Sequence, residues 1–298
     1  LDAYSKTFNN IMLPSEKTSP LNQSYGLTFG NRVSFLGRPL GFLGSMSYNR
    51  SFSSYDDGKR GIWYLTSPSS TTLQEYRTLK DHPSTEEVLW GGLGSLSYEI
   101  REGHDIGLNY FHSQNGEKTS RHYYGTYAEN ISTDRVFSPN VLAFTDRSLR
   151  SLQVRGSHRF GPDGMKAEWR SAYSTSNQNE PDLRYFSYTY DATDPENPSY
   201  SIFNNYFQRP TRTFRDLTEK NGESGIDITV PFTAWGGGSS VKVGGSYSWR
   251  KRDFLQRQFE YQMPGEGVSL TYTGDSESYF ARENMGLVDS TGTGSNTR

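Results

Sequence analysis

The chain has 298 residues, of which 32% are hydrophobic and 14% aromatic, with no cysteine and a formal net charge of −2. A soluble domain of this length normally carries more aliphatic core, average usage being about 45–50% apolar counting glycine. The near-neutral charge argues against a nucleic-acid surface, the missing thiols exclude disulfides, and no run approaches the roughly 18 uninterrupted apolar residues of a membrane-spanning helix.

In place of long apolar runs the chain shows a two-residue beat, which gives a strand one oily and one wet face. Eight long strands are predicted. The first runs from about Ser24 to Phe35, with Tyr25, Leu27, Phe29, Val33 and Phe35 on one face. Leu36-Gly37-Arg38-Pro39 turns it into a second strand bearing Leu40, Phe42, Gly44, Met46 and Tyr48. The third places Val88, Trp90, Leu96, Tyr98 and Ile100 outward, and beyond Arg101-Glu102-Gly103 the fourth continues with Ile106, Leu108 and Tyr110. Leu152, Val154, Gly156 and Phe160 mark the fifth; Gly161-Pro162-Asp163-Gly164 is a strong turn signal. The sixth alternates Ala167, Trp169, Ser171 and Tyr173 with Lys166, Glu168 and Arg170. The seventh holds Ile226, Ile228, Val230 and Phe232, and Trp235-Gly236-Gly237-Gly238 leads to an eighth with Val241, Val243, Gly245, Tyr247 and Trp249.

Short turns alternate with long polar connections over about Ser53–Thr85, Ser113–Arg147 and Thr175–Glu223, with the tail after Phe254 read as a fourth. Short turns at one end and long loops at the other are the layout of an outer-membrane β-barrel, with periplasmic turns and extracellular loops. The expected fold class is therefore all-β, an antiparallel transmembrane β-barrel segment, and its residence the bacterial outer membrane. With the turns periplasmic, both ends of this chain fall outside the cell, whereas a complete bacterial barrel keeps its termini in the periplasm. Leu1-Asp2-Ala3-Tyr4-Ser5 has neither a basic n-region nor an apolar h-region. The expectation is an internal piece of a larger barrel, with residues 1–298 forming one partial barrel domain.

The eighth strand and its continuation, from Val241-Lys242-Val243-Gly244-Gly245 through Trp249-Arg250-Lys251-Arg252-Asp253-Phe254, resembles a stretch in the large TonB-dependent receptors of Bacteroidetes-type bacteria. Phe8-Asn9-Asn10 and Pro20-Leu21-Asn22-Gln23-Ser24-Tyr25 are similar to the segment entering an early barrel strand there, and Leu40–Tyr48 is similar to the next strand. The resemblance implies a 22-stranded transporter whose lumen is filled by an N-terminal plug, this chain supplying roughly the second to ninth strands. It implies uptake of a scarce nutrient (a metal chelate, cofactor or glycan), coupling to the TonB system through the missing plug, and a surface lipoprotein as partner. A passive porin, a structural barrel component of an outer-membrane assembly, and a secreted glycan-binding β-sandwich are the alternatives.

The inward register holds Arg32, Arg155, Arg159, Lys166, Glu168, Arg170, Lys242 and Arg250, expected to line the lumen and hold the plug. Tyr185, Tyr188, Tyr190 and Tyr206, with Phe186, Tyr200, Phe203 and Phe207, fall in the longest expected outer loop. They are ligand- or lipoprotein-contacting candidates, set against extended strands pairing beyond the membrane, which is the preferred reading. Trp90, Trp169, Tyr173, Tyr247 and Trp249 read as lipid-facing or girdle aromatics. His82, His104, His112, His122 and His158 show no metal-ligand spacing, and neither a Gly-x-Ser-x-Gly elbow nor a phosphate loop occurs. No enzyme, cofactor or metal is expected. Asp191, Asp194 and Glu196 have oxygen ligands at calcium-like spacing but lack the EF-hand pattern, and a solvated loop is preferred.

Overall fold

The structure, a computed structural model, describes residues 6–127, 132, 134–161, 164–194, 196–202, 208–262 and 270–286. Strands β1 (Gln23–Phe35), β2 (Arg38–Ser54), β3 (Gly58–Leu65), β4 (Leu73–Arg101), β5 (His104–Thr126), β6 (Arg135–Phe160), β7 (Met165–Asp191), β8 (Tyr200–Ser201), β9 (Thr211–Ala234) and β10 (Gly237–Glu260) form one sheet. A one-turn helix α1 (Ser276–Tyr279) follows, its amides capped by Asp275. The sheet order is β1-β2-β4-β5-β6-β7-β9-β10, with β3 added to β4 and β8 to β7. Every pairing is antiparallel, and β1 and β10 are not joined, so the sheet is open.

Eight long strands are thus present, but they are longer than the alternation alone suggests. The polar stretches expected as long loops are largely strand: β4 has 29 residues, β7 27 and β6 26. Of the first stretch only residues 55–57 and 66–72 are not strand; the second and third are strand up to Thr126 and Asp191 and again from Arg135 and Thr211, with β8 between Asp191 and Thr211. The tail after Phe254 likewise begins as strand, since β10 continues to Glu260. Hydrophobic alternation detects a half-buried strand; these extensions are mostly polar, with their apolar residues scattered over both faces (Leu79, Tyr123 and Phe137 on one, Phe186 on the other), and carry no such beat. Cross-strand polar pairs accompany their backbone ladders. Arg50 Nη2 lies 2.6 Å from Glu86, Asn179 Nδ2 2.7 Å from Asp216 and Arg215 Nη1 2.9 Å from Glu180.

The hairpins need special backbone. Leu36-Gly37 (φ 49° and 76°) and Trp235-Gly236 (φ 50° and 77°) form two-residue turns with both central residues left-handed, the twist-compatible type. The turn after β6 has left-handed Gly161 and Gly164; Pro162 and Asp163, expected there, lie outside the described residues.

Register places the eight predicted apolar sets on one side. One hydrogen-bonded row reads Val33–Leu40–Tyr98–Ile106–Gly156–Trp169–Ile226–Gly245. Four residues above it runs Phe29–Gly44–Gly94–Tyr110–Leu152–Tyr173–Gly222–Trp249. Among the described residues no second layer covers this band; Leu27, Val243 and Tyr247 are 65%, 67% and 69% exposed.

The band's edges drift across the sheet. Beyond the first row, β1 runs two residues to its turn at Phe35, whereas β9 runs eight to Ala234. Six residues over six strand-to-strand steps is about one residue per strand. The upper aromatic edge drifts the same way, from Tyr25, Tyr48 and Trp90 to Tyr173 and Trp249.

Buried side chains gather at the loop end. Phe186 of β7 is wholly buried beneath Met12, Tyr261, Tyr272 and Phe280. A smaller cluster joins Leu79, Tyr123 and Phe137.

Candidate functional site

The polar face is the side opposite the apolar band. Strand alternation puts Arg32, Arg155, Arg159, Lys166, Glu168, Arg170, Lys242 and Arg250 there together. Arg155 pairs directly with Arg170, Arg159 with Lys166, and Lys242 with Thr229 beside it. A recess of about 460 Å³ opens between β5, β6, β7, β9 and β10, and Arg155, Glu168, Arg170, Asp227 and Lys242 are among its lining residues. Glycines make the room: Arg155 lies over Gly107 and Arg170 over Gly225, each where a Cβ would crowd the guanidinium.

Charges on this face are partly self-paired. Asp227 Oδ2 lies 3.2 Å from Arg170 Nη1 and 3.6 Å from Lys242 Nζ, while Lys166 Nζ lies 2.6 Å from Glu168. Arg250 Nε sits 3.5 Å from Glu219 and 2.9 Å from Asn221 Oδ1. Hydrogen bonds from Asn221 and Arg252, with the nearby arginine charges, hold the Glu219 carboxyl below the usual glutamate range. Arg155 and Arg159 make no ion pair among the described residues. Asp227 and Glu219, which organise these pairs, were not singled out from sequence; both sit on the polar register of β9, the signal that would have found them.

The tyrosine candidates divide. Tyr185, Tyr188 and Tyr190 lie on β7 rather than in a loop, paired to Val141, Ser138 and Val136 of β6. The preferred reading, strands running on and pairing, is what the structure has. A bulge between Glu180 and Leu183, containing Pro181, shifts the phase of β7 by one residue. Tyr185 therefore shares the polar side, opposite Thr211, whereas Phe186, Tyr188 and Tyr190 take the apolar side. There Tyr188 and Tyr190 meet Tyr200 at 5.9 and 6.1 Å, and Tyr188 meets Tyr272 at 5.3 Å. Burial raises the Tyr185, Tyr188 and Tyr190 hydroxyls above the ordinary phenol value. Tyr206, with Phe203 and Phe207, lies outside the described residues.

A clamp that sequence reasoning missed adjoins this cluster. Arg184 and Arg212 are cross-strand neighbours that share Asp182, at 2.7 and 2.8 Å. Arg184 Nη1 donates to the Ile11 carbonyl at 2.8 Å; Arg212 reaches the Asn9 carbonyl and side chain and lies 5.1 Å from the Phe8 ring. They pin the segment before β1, which crosses the sheet toward Lys17, 3.8 Å from Glu86. Burial lowers the Arg212 pKa from its ordinary value.

The remaining candidates are local. Asp191 Oδ1 accepts from the Thr193 amide and hydroxyl, and Asp194 Oδ1 from the amides of Glu196 and Asn197. The first bonds hold the Asp191 carboxyl below its usual range. These carboxylates shape their own loop. On the apolar side His104 Nδ1 and His158 Nδ1 are 3.1 Å apart, and Trp169 Nε1 donates to His158 Nε2 at 3.0 Å. Comparison with known proteins finds no matching family model, no matching curated protein and no matching solved structure.

Proposed function

We propose that this sheet is a stretch of outer-membrane β-barrel wall, with the apolar band toward lipid and the polar face toward the lumen. The observation that carries the reading is the uncovered band, aligned across eight strands and edged by Tyr25, Tyr48, Trp90, Tyr173 and Trp249. In water such a face requires a second layer. Its drift of about one residue, or about 3.4 Å, per strand spacing of about 4.8 Å corresponds to a tilt of about 35°, and barrel strands tilt by about 35–45°. The band takes nine residues on β7 (Met165–Tyr173), eleven on β1 (Tyr25–Phe35) and thirteen on β10 (Gly237–Trp249), which at that tilt rises roughly 22–33 Å, around the height of the apolar belt of such barrels.

The wall belongs to a TonB-dependent receptor that takes up a scarce nutrient, a metal chelate, cofactor or glycan, with outer-membrane lipid and a plug as partners. Support comes from the resemblance over Val241–Phe254 and from Arg155 and Arg159, cations that the carboxylates of a plug would complete. The passive porin is the competing reading and needs no such complement.

Two measurements test this. In lipid vesicles, a chain retaining only Trp169 is quenched most by bromines deep in the acyl chains, and one retaining only Trp249 by bromines near the headgroups. A chain that stays monodisperse without detergent and is untouched by either quencher is no barrel wall. The intact mass of the native polypeptide from outer membranes then separates receptor from porin. The receptor requires a mass several times that of these 298 residues and a plug upstream.

A further inference from the structure

Immediately above the aromatic row on the apolar side runs Lys251–Lys220–Thr175–Arg150–His112–Gly92–Met46–Leu27. Its chemistry changes along its length. From β10 to β5 it is basic or polar; from β4 to β1 it is glycine and apolar. The drift of the band accounts for the change, because at β1 and β2 this row lies inside the band and at β6 to β10 it lies just beyond it. The cations therefore follow depth rather than the hydrogen-bonded row.

Lys220 and Lys251 are direct cross-strand partners, an arrangement that costs stability in a bare sheet because like charges face each other. Lys251 has one carboxylate nearby, Asp253 at 3.6 Å. Lys220 and Arg150 make no ion pair among the described residues, and all three side chains are exposed. His112, edge-on to Trp90 at 4.8 Å, has a buried Nδ1 without a hydrogen-bond partner. The row contains no carboxylate. At the β2–β4 end, by contrast, Arg50 is already paired with Glu86.

We propose that Arg150, Lys220 and Lys251 form a docking site for the phosphates of an outer-leaflet lipid headgroup of the lipid A class. The proposal rests on the lipid-facing reading given above. Phosphate completes the charge that the sheet leaves open: arginine offers a planar fork to its oxygens, lysine a point charge. The aromatic row beneath sets the height, since Trp and Tyr settle where acyl chains end and headgroups begin. A cation next to an anionic bilayer surface strengthens binding by roughly fivefold, so three together give on the order of a hundredfold.

The test measures partition of the full chain into phosphatidylcholine vesicles, alone and doped with bis-phosphorylated or monophosphorylated lipid A. The triple variant Arg150→Ser/Lys220→Ser/Lys251→Ser and the charge-retaining Arg150→Lys/Lys220→Arg/Lys251→Arg are compared with the parent. The expected result is tighter binding of the parent to bis-phosphorylated lipid A than to phosphatidylcholine. The serine variant loses that advantage by on the order of a hundredfold, the charge-retaining variant keeps it, and removing one phosphate from the lipid weakens it. Equal binding of parent and serine variant to lipid A, while both still enter phosphatidylcholine, overturns the headgroup site and leaves the lipid-facing band intact. Failure of the parent to enter phosphatidylcholine at all overturns both. Should the serine variant lose its strand signal in circular dichroism, Lys220→Gln alone serves, and undiminished binding by it overturns the proposal.

Discussion

Trp249 of β10 lies across its cross-strand partner Gly222 of β9, its indole occupying the space where a Cβ would stand. The same relation recurs on this face between Trp169 and Gly156, and between Phe29 and Gly44. A large ring over a bare glycine fills the gap the glycine leaves and pins register, because the ring fits no other partner.

Gly222→Val is therefore expected to expel the Trp249 indole and cost about 1–3 kcal/mol, the usual range for overpacking. The indole emission of a chain retaining only Trp249 should move with it. An unchanged spectrum and unfolding midpoint would mean that the ring does not rest there.

Depth within the band sets the cost of a charge. On β10 the band runs from the turn at Gly237 to Trp249, so Val243 is near its middle. On the wall reading, Val243→Arg costs about 2–4 kcal/mol and Trp249→Arg, at the edge, about 0–1 kcal/mol for the charge itself. Equal losses at the two sites in vesicle unfolding would contradict the height assigned to the band.

The clamp predicts a separable event. Arg212→Ala removes a buried cation from Asp182, Asn9 and Phe8; Arg184 stays on Asp182, so the loss is that of charge-assisted hydrogen bonds, about 1.5–3 kcal/mol. The segment before β1 should detach while the sheet persists. Trypsin cleavage after Lys17 reads this directly, and no acceleration over the parent would show that the segment is held by other contacts.

Alkali should loosen the aromatic cluster. Burial pushes the Tyr279 hydroxyl up to about 12, and raises Tyr272 further. A phenol whose folded pKa lies above its unfolded value of about 10 contributes fully below that pH and loses its contribution as pH climbs through the folded value. Phenolate absorbance should accordingly show a late fraction appearing near pH 12 together with exposure of the tail to protease. Ionisation of every tyrosine near pH 10 would contradict the burial.

What the sequence made legible follows from what alternation can signal. The apolar sets of all eight strands, from Tyr25–Phe35 to Val241–Trp249, were readable because one face is apolar and the other polar; register then brings them to one side. The polar-face set from Arg32 to Arg250 was readable as its complement. The strand extensions through Thr85, Lys118 and Asn179 were not, since they are mostly polar and their few apolar residues, such as Leu79, Phe137 and Phe186, keep to no single face. Nor was the split of Tyr185 from Tyr188 and Tyr190, because a one-residue bulge at Pro181 reverses the phase without disturbing the composition. The clamp of Arg184 and Arg212 on residues 9–11 joins positions 173 and 203 residues apart, and no local pattern encodes it.

The drift of the band by a residue per strand has a mechanical consequence. Sliding a single strand by one residue would turn its side chains to the wrong face, and sliding it by two would carry it out of the aligned band, so a strand does not adjust its height in small steps alone. On the wall reading, a thinner or thicker bilayer would be met by rotating all eight strands together, each leaning a little more or less. On that reading, mismatch at any one position would be shared as a change of lean over the whole staircase, compliant as a unit and rigid strand by strand.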